Sequence, residues 1–593
     1  MGQFDFIMIK PSHYDDDGYP IVWWKTLLPS NSLAALNGLA RDAAARQVLG
    51  PGVDIRPTPI DECNRHVVPS RIVRGIGRRG GRALIGLVGV QSNQFPHALD
   101  LAREFRAAGL PVVIGGFHVS GCLSMLKEIP PELQEALDIG CSLFAGEAED
   151  GRLDELLRDA WNGELKPVYN HLKDLPGLSG VPYPWMPSES LKRNLGKWSS
   201  FDLGRGCPFQ CSFCTIINVQ GRKSRFRSAD DLEGIVRENL AQGIKAYFVT
   251  DDNLARNRHW EAFFDRLIAL REEGLQANLT IQVDTLCHRI PNFIDKAVRA
   301  GVKRVFIGLE NINPDNVLAA NKRQNKITEY RHMIQQWHER GVNTIAGYIL
   351  GFPGDTKESI LRDIEIVKRE LPVDILEFFF LTPLPGSEDH RKMHEAGTWM
   401  DPDLNKYDLH HRVSHHPTMS DEEWEEAYKA AWDAYFTWEH METVARRHAR
   451  LPHGRPHKAL QWINEFRMLY ANEKVHTLEG GAVRRKRRKS RRPTMKREPA
   501  LIFYPKFVAE SLVKGWRYWR GFRRQKAVLK RVVNDPKRFE YEELATRPLA
   551  ANELAALDLF HETRGGEAFV ERKRRQDRIM EQARAHPQSA VPL

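Results

Sequence analysis

Cysteine is scarce in this chain, with 7 among 593 residues, and the seven are irregularly spaced. Such a set does not form a disulfide framework, so a reducing cytoplasm with functional thiols is the better interpretation. The amino-terminal MGQFDFIMIK also lacks the basic region, the long apolar stretch and the cleavage site of a signal peptide. No run is long and apolar enough to span a bilayer. These absences predict a cytoplasmic protein.

Length and composition predict several soluble domains. A single hydrophobic core rarely grows beyond about 300 residues, and 42% hydrophobic with 28% charged residues is ordinary for a globular protein. The net charge of +10 is unevenly placed, because many basic residues lie in the last fifth, including RRKRRKSRR at 484–492. The charge therefore describes a carboxyl-terminal segment more than the body of the protein.

Strand-like and helix-like stretches alternate over the first 165 residues. FDFIMI, ALIGLVGV, PVVIGG and CSLFAG are typical of buried strands, and ALDLAREFRAAG is typical of a helix that ends in glycine. This order predicts a parallel sheet in a Rossmann-like, flavodoxin-like α/β domain. Residues 166–196, rich in proline, tryptophan and serine, are interpreted as a linker.

The alternation resumes in residues 197–400. KAYFVTDD, LTIQVD, RVFIGLE, TIAGYILG and ILEFFFLTPL predict strands separated by helices. Repeated βα units predict a partial (β/α)6 TIM-like barrel, with its site at the carboxyl ends of the strands. Residues 401–480 predict a helical extension, in which Ser420 and Glu423 make a capping box. Residues 481–593 predict a basic, mostly helical region.

Three of the cysteines are crowded into RGCPFQCSFCTI, residues 205–216, with the spacing C-x3-C-x2-C. A structural zinc site needs four protein ligands, and common ferredoxin spacings also need a fourth cysteine. Three cysteines on a four-iron cube would leave one iron open to substrate or cofactor. A zinc knuckle or a chance grouping remains the alternative from these three residues alone.

The cysteine motif, with the aromatic Phe213 before its last cysteine, resembles the signature of radical S-adenosylmethionine (SAM) enzymes. Four later motifs resemble the strand motifs of that family, in the family's order: TDDN at 250–253, FIGLEN at 306–311, GYILGFPGDT at 347–356 and TPLPGS at 382–387. The resemblance covers roughly residues 200–390. It implies a [4Fe-4S] cluster that cleaves SAM to a 5′-deoxyadenosyl radical, which abstracts hydrogen from a substrate carbon.

The same resemblance implies the roles of individual residues. Cys207, Cys211 and Cys214 would ligate the cluster. The groups expected to bind SAM are Phe213, Asp251, Asp252, Asn253, Glu310, Gly347, Ile349 and Gly351, although some of the polar ones could merely cap helices. Asp284 is a candidate of lower rank, and the nearby Cys287 is interpreted as an ordinary buried thiol.

The first domain resembles the cobalamin-binding module that precedes many radical SAM barrels. VGVQSNQFP, VVIGGFHVSG and FAGEAED carry the resemblance, and they place Ser92, Gly115, Gly116 and Glu147 where cobalamin contacts are expected. The motif D-x-H-x-x-G, which supplies the lower cobalt ligand, is absent after the first strand. His118 follows a later strand and is not interpreted as that ligand. A domain of this fold that binds no cobalamin remains the alternative.

Together these resemblances imply a radical SAM enzyme, and the leading hypothesis is a cobalamin-dependent methylase of an unactivated carbon. A cobalamin-independent cyclase or rearrangement enzyme is the first alternative, and a non-catalytic iron–sulfur sensor is the second. The expected partners are a small-molecule substrate and an electron donor of the flavodoxin or ferredoxin type. Contact with a membrane would indicate a hydrophobic substrate.

Two carboxyl-terminal features stand apart from the family motifs. LHHRVSHH clusters His410, His411, His415 and His416, which predicts a loop over the barrel mouth rather than a metal site. Residues 484–533 combine a basic tract with a stretch that would form a basic amphipathic helix. The interpretations are a surface helix packed on the barrel or peripheral contact with the inner face of an anionic membrane. Nucleic acid is not expected, because no nucleic-acid module is recognised.

Overall fold

A computed structural model describes residues 2–561 of the chain. The carboxyl-terminal region predicted at 481–593 is therefore described as far as residue 561, and its remainder lies outside the described residues. None of the described helices combines the length and the apolar composition that crossing a bilayer requires.

The amino-terminal domain is built on a parallel six-stranded sheet with the strand order β3-β1-β4-β5-β6-β7. The strands of this part of the chain are β1 (Gly2–Lys10), β2 (Trp23–Thr26), β3 (Val53–Asp61), β4 (Ala83–Leu87), β5 (Val112–Gly115), β6 (Ser142–Ala145) and β7 (Val168–Asn170). β2 lies outside this sheet. The prediction of a Rossmann-like domain is confirmed.

Helices cover this sheet. They are α1 (Asn31–Ala45), α2 (Pro69–Arg78), α3 (Phe95–Ala107), α4 (Phe117–Met125), α5 (Pro131–Asp138) and α6 (Arg152–Asn162). α1 begins where the Ser30 hydroxyl accepts a hydrogen bond from the Leu33 N–H, and its buried face carries alanine and leucine. α4 begins directly after the Gly115–Gly116 turn.

Two strands of the sheet differ from what the sequence predicts. β3 contains Pro57 and Pro59, which hide a strand pattern, yet it pairs with β1 at the edge of the sheet, where a missing N–H is tolerated. β7 pairs with β6 and lies inside the segment 166–196, which the sequence indicates as a linker. The sheet therefore extends past residue 165.

The central domain contains a second parallel six-stranded sheet with the order β15-β14-β13-β12-β11-β8. The six strands are β8 (Trp198–Phe201), β11 (Ala246–Val249), β12 (Asn278–Val283), β13 (Val302–Glu310), β14 (Asn343–Leu350) and β15 (Ile375–Phe380). The short strands β9 (Gly204–Arg205) and β10 (Arg225–Phe226) pair with each other outside this sheet. The helices are α7 (Ser188–Leu191), α8 (Ile216–Val219), α9 (Ala229–Ala241), α10 (Trp260–Glu272), α11 (Phe293–Ala300), α12 (Pro314–Ala319), α13 (Ile327–Glu339), α14 (Lys357–Glu370) and α15 (Glu388–Glu395). The predicted partial (β/α)6 barrel is confirmed.

The remaining elements pack around this barrel. They are α16 (Asp421–Tyr435), α17 (Trp438–Ala449), α18 (Pro456–Met468), β16 (Gly481–Arg484), α19 (Ala500–Val533), α20 (Ala551–Ala555) and α21 (Asp558–His561). α16 begins at Ser420, whose hydroxyl accepts from the Glu423 N–H, and it packs on β15, where the rings of Phe380 and Tyr428 stack 4.1 Å apart. β16 returns to pair antiparallel with β2.

The two edges of the partial barrel are held differently. On β8, the Trp198 ring and the Trp462 ring of α18 both face the Arg304 guanidinium, at 4.0 and 4.2 Å. On the β15 side, the segment after α18 places the His476 ring on Phe379, 4.7 Å between centroids. The helical extension therefore contacts both edges of the open sheet.

The first domain and the barrel meet backbone to backbone. A Cβ built on Gly386, in the loop after β15, would lie 2.7 Å from the Gly121 Cα of α4, and one built on Gly121 would collide with the Pro385 carbonyl. Neither position has room for a side chain. This contact fixes α4 against the loop that follows the last barrel strand.

We expect Gly116→Ala to destabilise the first domain by about 1–3 kcal/mol. Gly116 has φ of +150°, and an added Cβ would collide with the Val90 backbone. The midpoint of thermal unfolding measures the loss. The control is Gly77→Ala in α2, where an added Cβ meets nothing within 4 Å. Equal midpoints for the two variants would contradict the prediction.

Candidate active site

The three cysteines of the motif lie in the loop of a short hairpin at the carboxyl end of β8. Arg205 and Gly204 pair antiparallel with Arg225 and Phe226, and the loop between them carries the cysteines. The Cys207 N–H donates to the Gly221 carbonyl over 3.2 Å. Gly206 has φ of +89°, and a Cβ there would lie 2.7 Å from the Lys223 carbonyl oxygen. The loop therefore requires glycine directly before the first cysteine.

The thiols of this loop are strongly shielded from water. Burial raises the pKa of Cys207 to about 11 and that of Cys214 to about 12, and it raises the pKa of Cys211 as well. The charge of Cys211 acts on both other thiols, so the three sulfurs lie within electrostatic range of one another. Shielded thiols of this kind become thiolates when a cation neutralises them. The donor set therefore fits an iron–sulfur cluster.

A lysine that the sequence analysis missed lies beside these thiols. Lys322 is buried, and its charge opposes the rise in the pKa of Cys207 and Cys211. Its ammonium group pairs with the Glu310 carboxylate and donates to the Gly308 carbonyl over 3.1 Å. Gln324, two residues further on, directs its amide nitrogen to the Cys211 sulfur at 3.6 Å. No local pattern marks either residue, because both lie in an irregular loop after α12.

Glu310 ends β13 in a conformation that only a constrained residue adopts. Its φ is +63°, and the pairing of β13 with β14 shifts register between Gly308 and Glu310. A non-glycine residue in this region costs about 1–3 kcal/mol and persists only where its surroundings hold it. Here the Lys322 ion pair and the bulge hold it. The predicted SAM-binding role of Glu310 remains a prediction.

The two aspartates that follow β11 have different surroundings. Asp251 is 2% exposed and accepts hydrogen bonds from the Leu203 N–H at 2.6 Å and from the Asn257 amide at 3.1 Å. Asp252 accepts from the Gly206 N–H at 3.1 Å, directly beside the first cysteine. Burial raises the pKa of each to about 7. Asp251 therefore braces the ends of two strands, and Asp252 adjoins the cysteine loop.

Asn253 and the lower-ranked Asp284 belong to one polar group. The Asn253 amide donates to the Asp284 carboxylate at 2.9 Å, and Arg256 pairs with the same carboxylate through two bonds of 2.6 and 2.8 Å. The Arg256 guanidinium lies 5.6 Å from the ring of Phe209, inside the cysteine loop. Cys287 is fully buried, and burial raises its pKa to about 12.

The glycine motif of β14 lies among aromatic rings. A Cβ on Gly347 would stand 3.1 Å from the Phe306 ring and 3.3 Å from the Phe379 ring, so glycine leaves space between them. Gly351 has φ of +102°, and a side chain there would collide with Trp424. Ile349 packs with Phe213. The predicted aromatic of the cysteine motif and the predicted β14 residue are therefore neighbours.

A cavity opens at the carboxyl ends of the first domain's strands. Gly115, Gly116 and Glu147 line it, but Ser92 does not, because its hydroxyl bonds with the His118 ring nitrogen at 3.1 Å. Helices α1 and α6 contribute Ala35, Leu36, Leu39, Leu153 and Leu156 to its apolar wall. Arg205 and Gln220, which flank the three cysteines in the hairpin loop, also line the cavity. The cavity and the cysteine loop are therefore adjacent.

A buried ion network joins the two domains at this cavity. The Arg205 guanidinium lies 2.7 Å from Glu147, 2.8 Å from Glu149 and 3.0 Å from Asp202. Arg225 also pairs with Glu147. No sequence pattern marks this network, since Glu147 and Glu149 lie more than fifty residues before Arg205 and share no motif with it. Glu147 thus holds the cysteine hairpin as well as lining the cavity.

The histidines of LHHRVSHH do not converge. His410 bonds with Tyr428, His411 with Asp408, His415 with Asp421 and His416 with the Phe352 carbonyl oxygen, at 2.9–3.0 Å. His416 thereby fixes this segment to the loop after β14. Each imidazole has its own partner, which agrees with the interpretation as an ordered loop.

Comparison with known proteins agrees with this geometry. Residues 202–367 match the family model described as the radical SAM superfamily. The chain is 28% identical over 346 residues to the bacteriochlorophyllide d C-8(2)-methyltransferase of Chlorobaculum tepidum, covering 55% of this chain and 72% of that protein. It is 26% identical over 296 residues to the hopanoid C-2 methylase of Rhodopseudomonas palustris, covering 48% of this chain and 53% of that protein.

Among solved structures, the chain is similar to the radical SAM methyltransferase TsrM from Kitasatospora setae, solved with cobalamin and a [4Fe-4S] cluster bound. The TM-score is 0.52 at 16% identity, over 67% of this chain and 78% of that one. At this identity the likeness shows the fold. Motif order, loop geometry and family match agree that residues 202–367 form a radical SAM domain.

Proposed function

We propose that this protein is a cobalamin-dependent radical SAM enzyme that methylates an unactivated carbon of a small molecule. The observation that carries the proposal is the shared cavity, because its wall includes both the glycine turns of the first domain and Arg205 and Gln220 of the cysteine hairpin. A methyl donor and a radical source must both reach one substrate carbon, so their binding sites have to adjoin.

The relatives support the transfer of a methyl group to carbon. The two curated relatives are named as a methyltransferase and a methylase, and the similar solved structure is a methyltransferase with cobalamin and a [4Fe-4S] cluster. The chain spans only about half of the hopanoid enzyme. The substrate is therefore not carried over from either relative.

The cavity of the first domain fits cobalamin. Its leucine and alanine wall suits a flat apolar base, and the backbone of Gly115 and Gly116 allows close approach of a large ring. The Gly146 N–H donates to the Ser120 hydroxyl at 3.0 Å, which ties the loop after β6 to α4. None of the described residues lining the cavity is a histidine. This agrees with the interpretation that His118 is not a cobalt ligand.

The residues around the cysteines have separable tasks. When bound, the cluster and SAM supply a 5′-deoxyadenosyl radical, and cobalamin supplies a methyl group. Cys207, Cys211 and Cys214 would hold the cluster, while the Lys322 cation stabilises their thiolates and holds Glu310 in place. Asp252 fixes the Gly206 N–H and so the position of the first cysteine.

Apolar side chains exclude water from this end of the barrel. Phe213 packs on Ile349 and Phe352, and the rings of Phe306 and Phe379 flank Gly347. A carbon radical reacts with whatever it meets, so a dry and shaped space directs it to the bound substrate. The electron that such chemistry needs would come from a flavodoxin- or ferredoxin-type donor.

Cobalamin content tests the proposal directly. We expect protein purified anaerobically from vitamin-supplied cells to retain cobalamin, and Ala35→Phe to lower that content at least about tenfold, because the ring fills the apolar cavity. Iron content should not change. The matched control is Ala45→Phe, at the exposed end of the same helix.

The products of SAM turnover separate the alternatives. Paired S-adenosylhomocysteine and 5′-deoxyadenosine support the methylase. Absence of cobalamin, with 5′-deoxyadenosine formed at an intact cluster, would favour the cobalamin-independent cyclase or rearrangement enzyme. A cluster that binds but never cleaves SAM would favour the sensor.

We expect Lys322→Met to shift the reduction potential of the cluster to a more negative value. Reduction adds negative charge, and the variant removes a buried cation beside Cys211. A redox titration followed by electron paramagnetic resonance measures the shift. Lys326→Met, four residues further on and exposed, is the control. A potential unchanged by Lys322→Met would show that the ammonium does not act on the cluster.

We further propose that α19 rests on the surface of an anionic membrane, which would suit an apolar substrate. This 34-residue helix buries Phe503, Gly521, Val528 and Val532 along one face. The opposite face is exposed and carries the apolar side chains of Leu501, Tyr504, Val508, Leu512, Trp516, Trp519 and Phe522. At 100° per residue these positions form a single stripe.

The positive charges beside this stripe favour contact with an anionic bilayer. The guanidinium groups of Arg520 and Arg523 lie 5.5 and 5.0 Å from the Trp516 and Trp519 ring centroids. Aromatic rings beside cations suit the headgroup layer, where the ring is half-buried and the cation meets lipid phosphate. The last third of the helix adds further lysine and arginine.

Vesicle flotation tests this contact. We expect the protein to float with vesicles that contain phosphatidylserine, less so as salt rises, and we expect Trp516→Ser with Trp519→Ser to abolish flotation. Trp399→Ser, at an exposed tryptophan in the loop after α15, is the control. Flotation that is equal for neutral and anionic vesicles, or absent from the unaltered protein, would contradict the proposal.

A further inference from the structure

Three metal-ligating side chains meet behind the cavity of the first domain. We call them the His118 cluster: His118 and Cys122 on α4, and Glu132 in the first turn of α5. The His118 Nε2 lies 3.4 Å from a Glu132 carboxylate oxygen and 4.0 Å from the Cys122 sulfur, and all three ligand atoms lie within 4.8 Å of one another. His118 and Cys122 are fully buried, and Glu132 is half-buried.

The donor types and spacing suit one small cation. Sulfur, imidazole nitrogen and carboxylate oxygen are the zinc ligands of proteins, and bond lengths of about 2.0–2.3 Å place neighbouring ligand atoms about 3.3–3.5 Å apart in a tetrahedron. The histidine–carboxylate separation of 3.4 Å already has this length, while the sulfur, 4.0 Å from the His118 Nε2, would have to move closer. The other cysteines of the first domain, Cys63 and Cys141, have no such arrangement among the described residues.

The imidazole of His118 is oriented by a second hydrogen bond. Its Nδ1 bonds with the Ser92 hydroxyl at 3.1 Å, which leaves Nε2 pointing at the sulfur and the carboxylate. Metal-bound histidines regularly use the second ring nitrogen in this way. Ser92 therefore acts on the cluster through His118 and lies away from the cavity, where the sequence predicts its contact.

A fourth candidate ligand comes from the barrel. His390 on α15 is 8% exposed, and its Nδ1 has no hydrogen-bond partner among the described residues. The charges of His118 and Glu132 act on its ring, but its ring nitrogens lie outside the group of ligand atoms within 4.8 Å of one another, so the side chain would have to move to reach the ion. A buried ring nitrogen without a partner is destabilising, and a metal bond would supply the missing partner.

We propose that His118, Cys122 and Glu132 bind a zinc ion, with His390 as the fourth ligand, and that this ion joins the first domain to the barrel. The site stands apart from the three motif cysteines and depends on neither cobalamin nor the substrate.

The position of His390 indicates what the ion would stabilise. Its neighbour Asp389 accepts a hydrogen bond from the Ser212 hydroxyl at 3.1 Å and donates its N–H to the Ser212 carbonyl at 3.2 Å, inside the cysteine loop. The Gly121–Gly386 backbone contact lies on the same side of α4. A metal across this seam therefore fixes α15, and through it the cysteine loop, against the first domain.

Metal analysis of the full chain tests the site. Because the motif cysteines also take up zinc, the parent protein is the variant with Cys207, Cys211 and Cys214 all changed to serine. We expect about one zinc per chain by plasma mass spectrometry after dialysis against a weak chelator. Cys122→Ala in this background should lower zinc content at least about tenfold, whereas the matched control Cys141→Ala, at another buried thiol of the first domain, should retain it. Zinc should also be found, alongside iron, in the reconstituted protein with its motif cysteines intact.

Spectroscopy distinguishes a ligand from a folding requirement. Cobalt(II) in the parent should give a thiolate-to-cobalt absorption band that Cys122→Ala removes and Cys141→Ala keeps. Ser92→Ala should weaken zinc binding about 10–100-fold while the circular dichroism stays unchanged.

Three results would overturn the proposal. Absence of zinc and of the cobalt band from a folded parent would leave a metal-free ion pair between His118 and Glu132. Equal zinc in Cys122→Ala and Cys141→Ala would place the metal elsewhere. Unchanged zinc affinity in His390→Ala would remove the link to the barrel.

Discussion

The site depends on the ion pairs made by one buried group, the Arg205 guanidinium. Arg205 lies two positions before the first motif cysteine. It pairs with Glu147 and Glu149 of the first domain and with Asp202 of the barrel. Removing one partner of a buried pair leaves an uncompensated charge and costs about 3–5 kcal/mol. Burial therefore makes this network nearly all-or-none. The cysteine hairpin, the cavity and the contact between domains exist together because they share it.

Much of the fold could be predicted, because it follows from local patterns. Parallel strands buried on both faces are continuous apolar runs, and ALIGLVGV and TIAGYILG correspond to β4 and β14. β3 could not be predicted, since Pro57 and Pro59 disguise it and only its pairing with β1 makes it a strand. The short β7 likewise exists through its pairing with β6.

The candidate site is predictable to the same extent. The cysteine motif is local, and its loop has the expected place at the end of the first barrel strand. Lys322, Glu147 and Glu149 lie far from the cysteine motif in sequence, so no short window of residues contains them. Asp251 shows that a polar residue in a family motif can also brace strand ends, and its predicted contact with SAM remains a prediction. Spacing identifies such residues, and only the three-dimensional contacts separate their tasks.

The contact between Gly121 and Gly386 sets the spacing of the two halves by main chain alone. Side chains can change rotamer and so tolerate mutation, but two backbones already touching have no such adjustment. Substitutions can therefore reshape the walls of the cavity and of the barrel, whereas this joint cannot change without movement of the main chain. The separation of the two halves is set by the main chain, and the shape of the space between them is set by side chains.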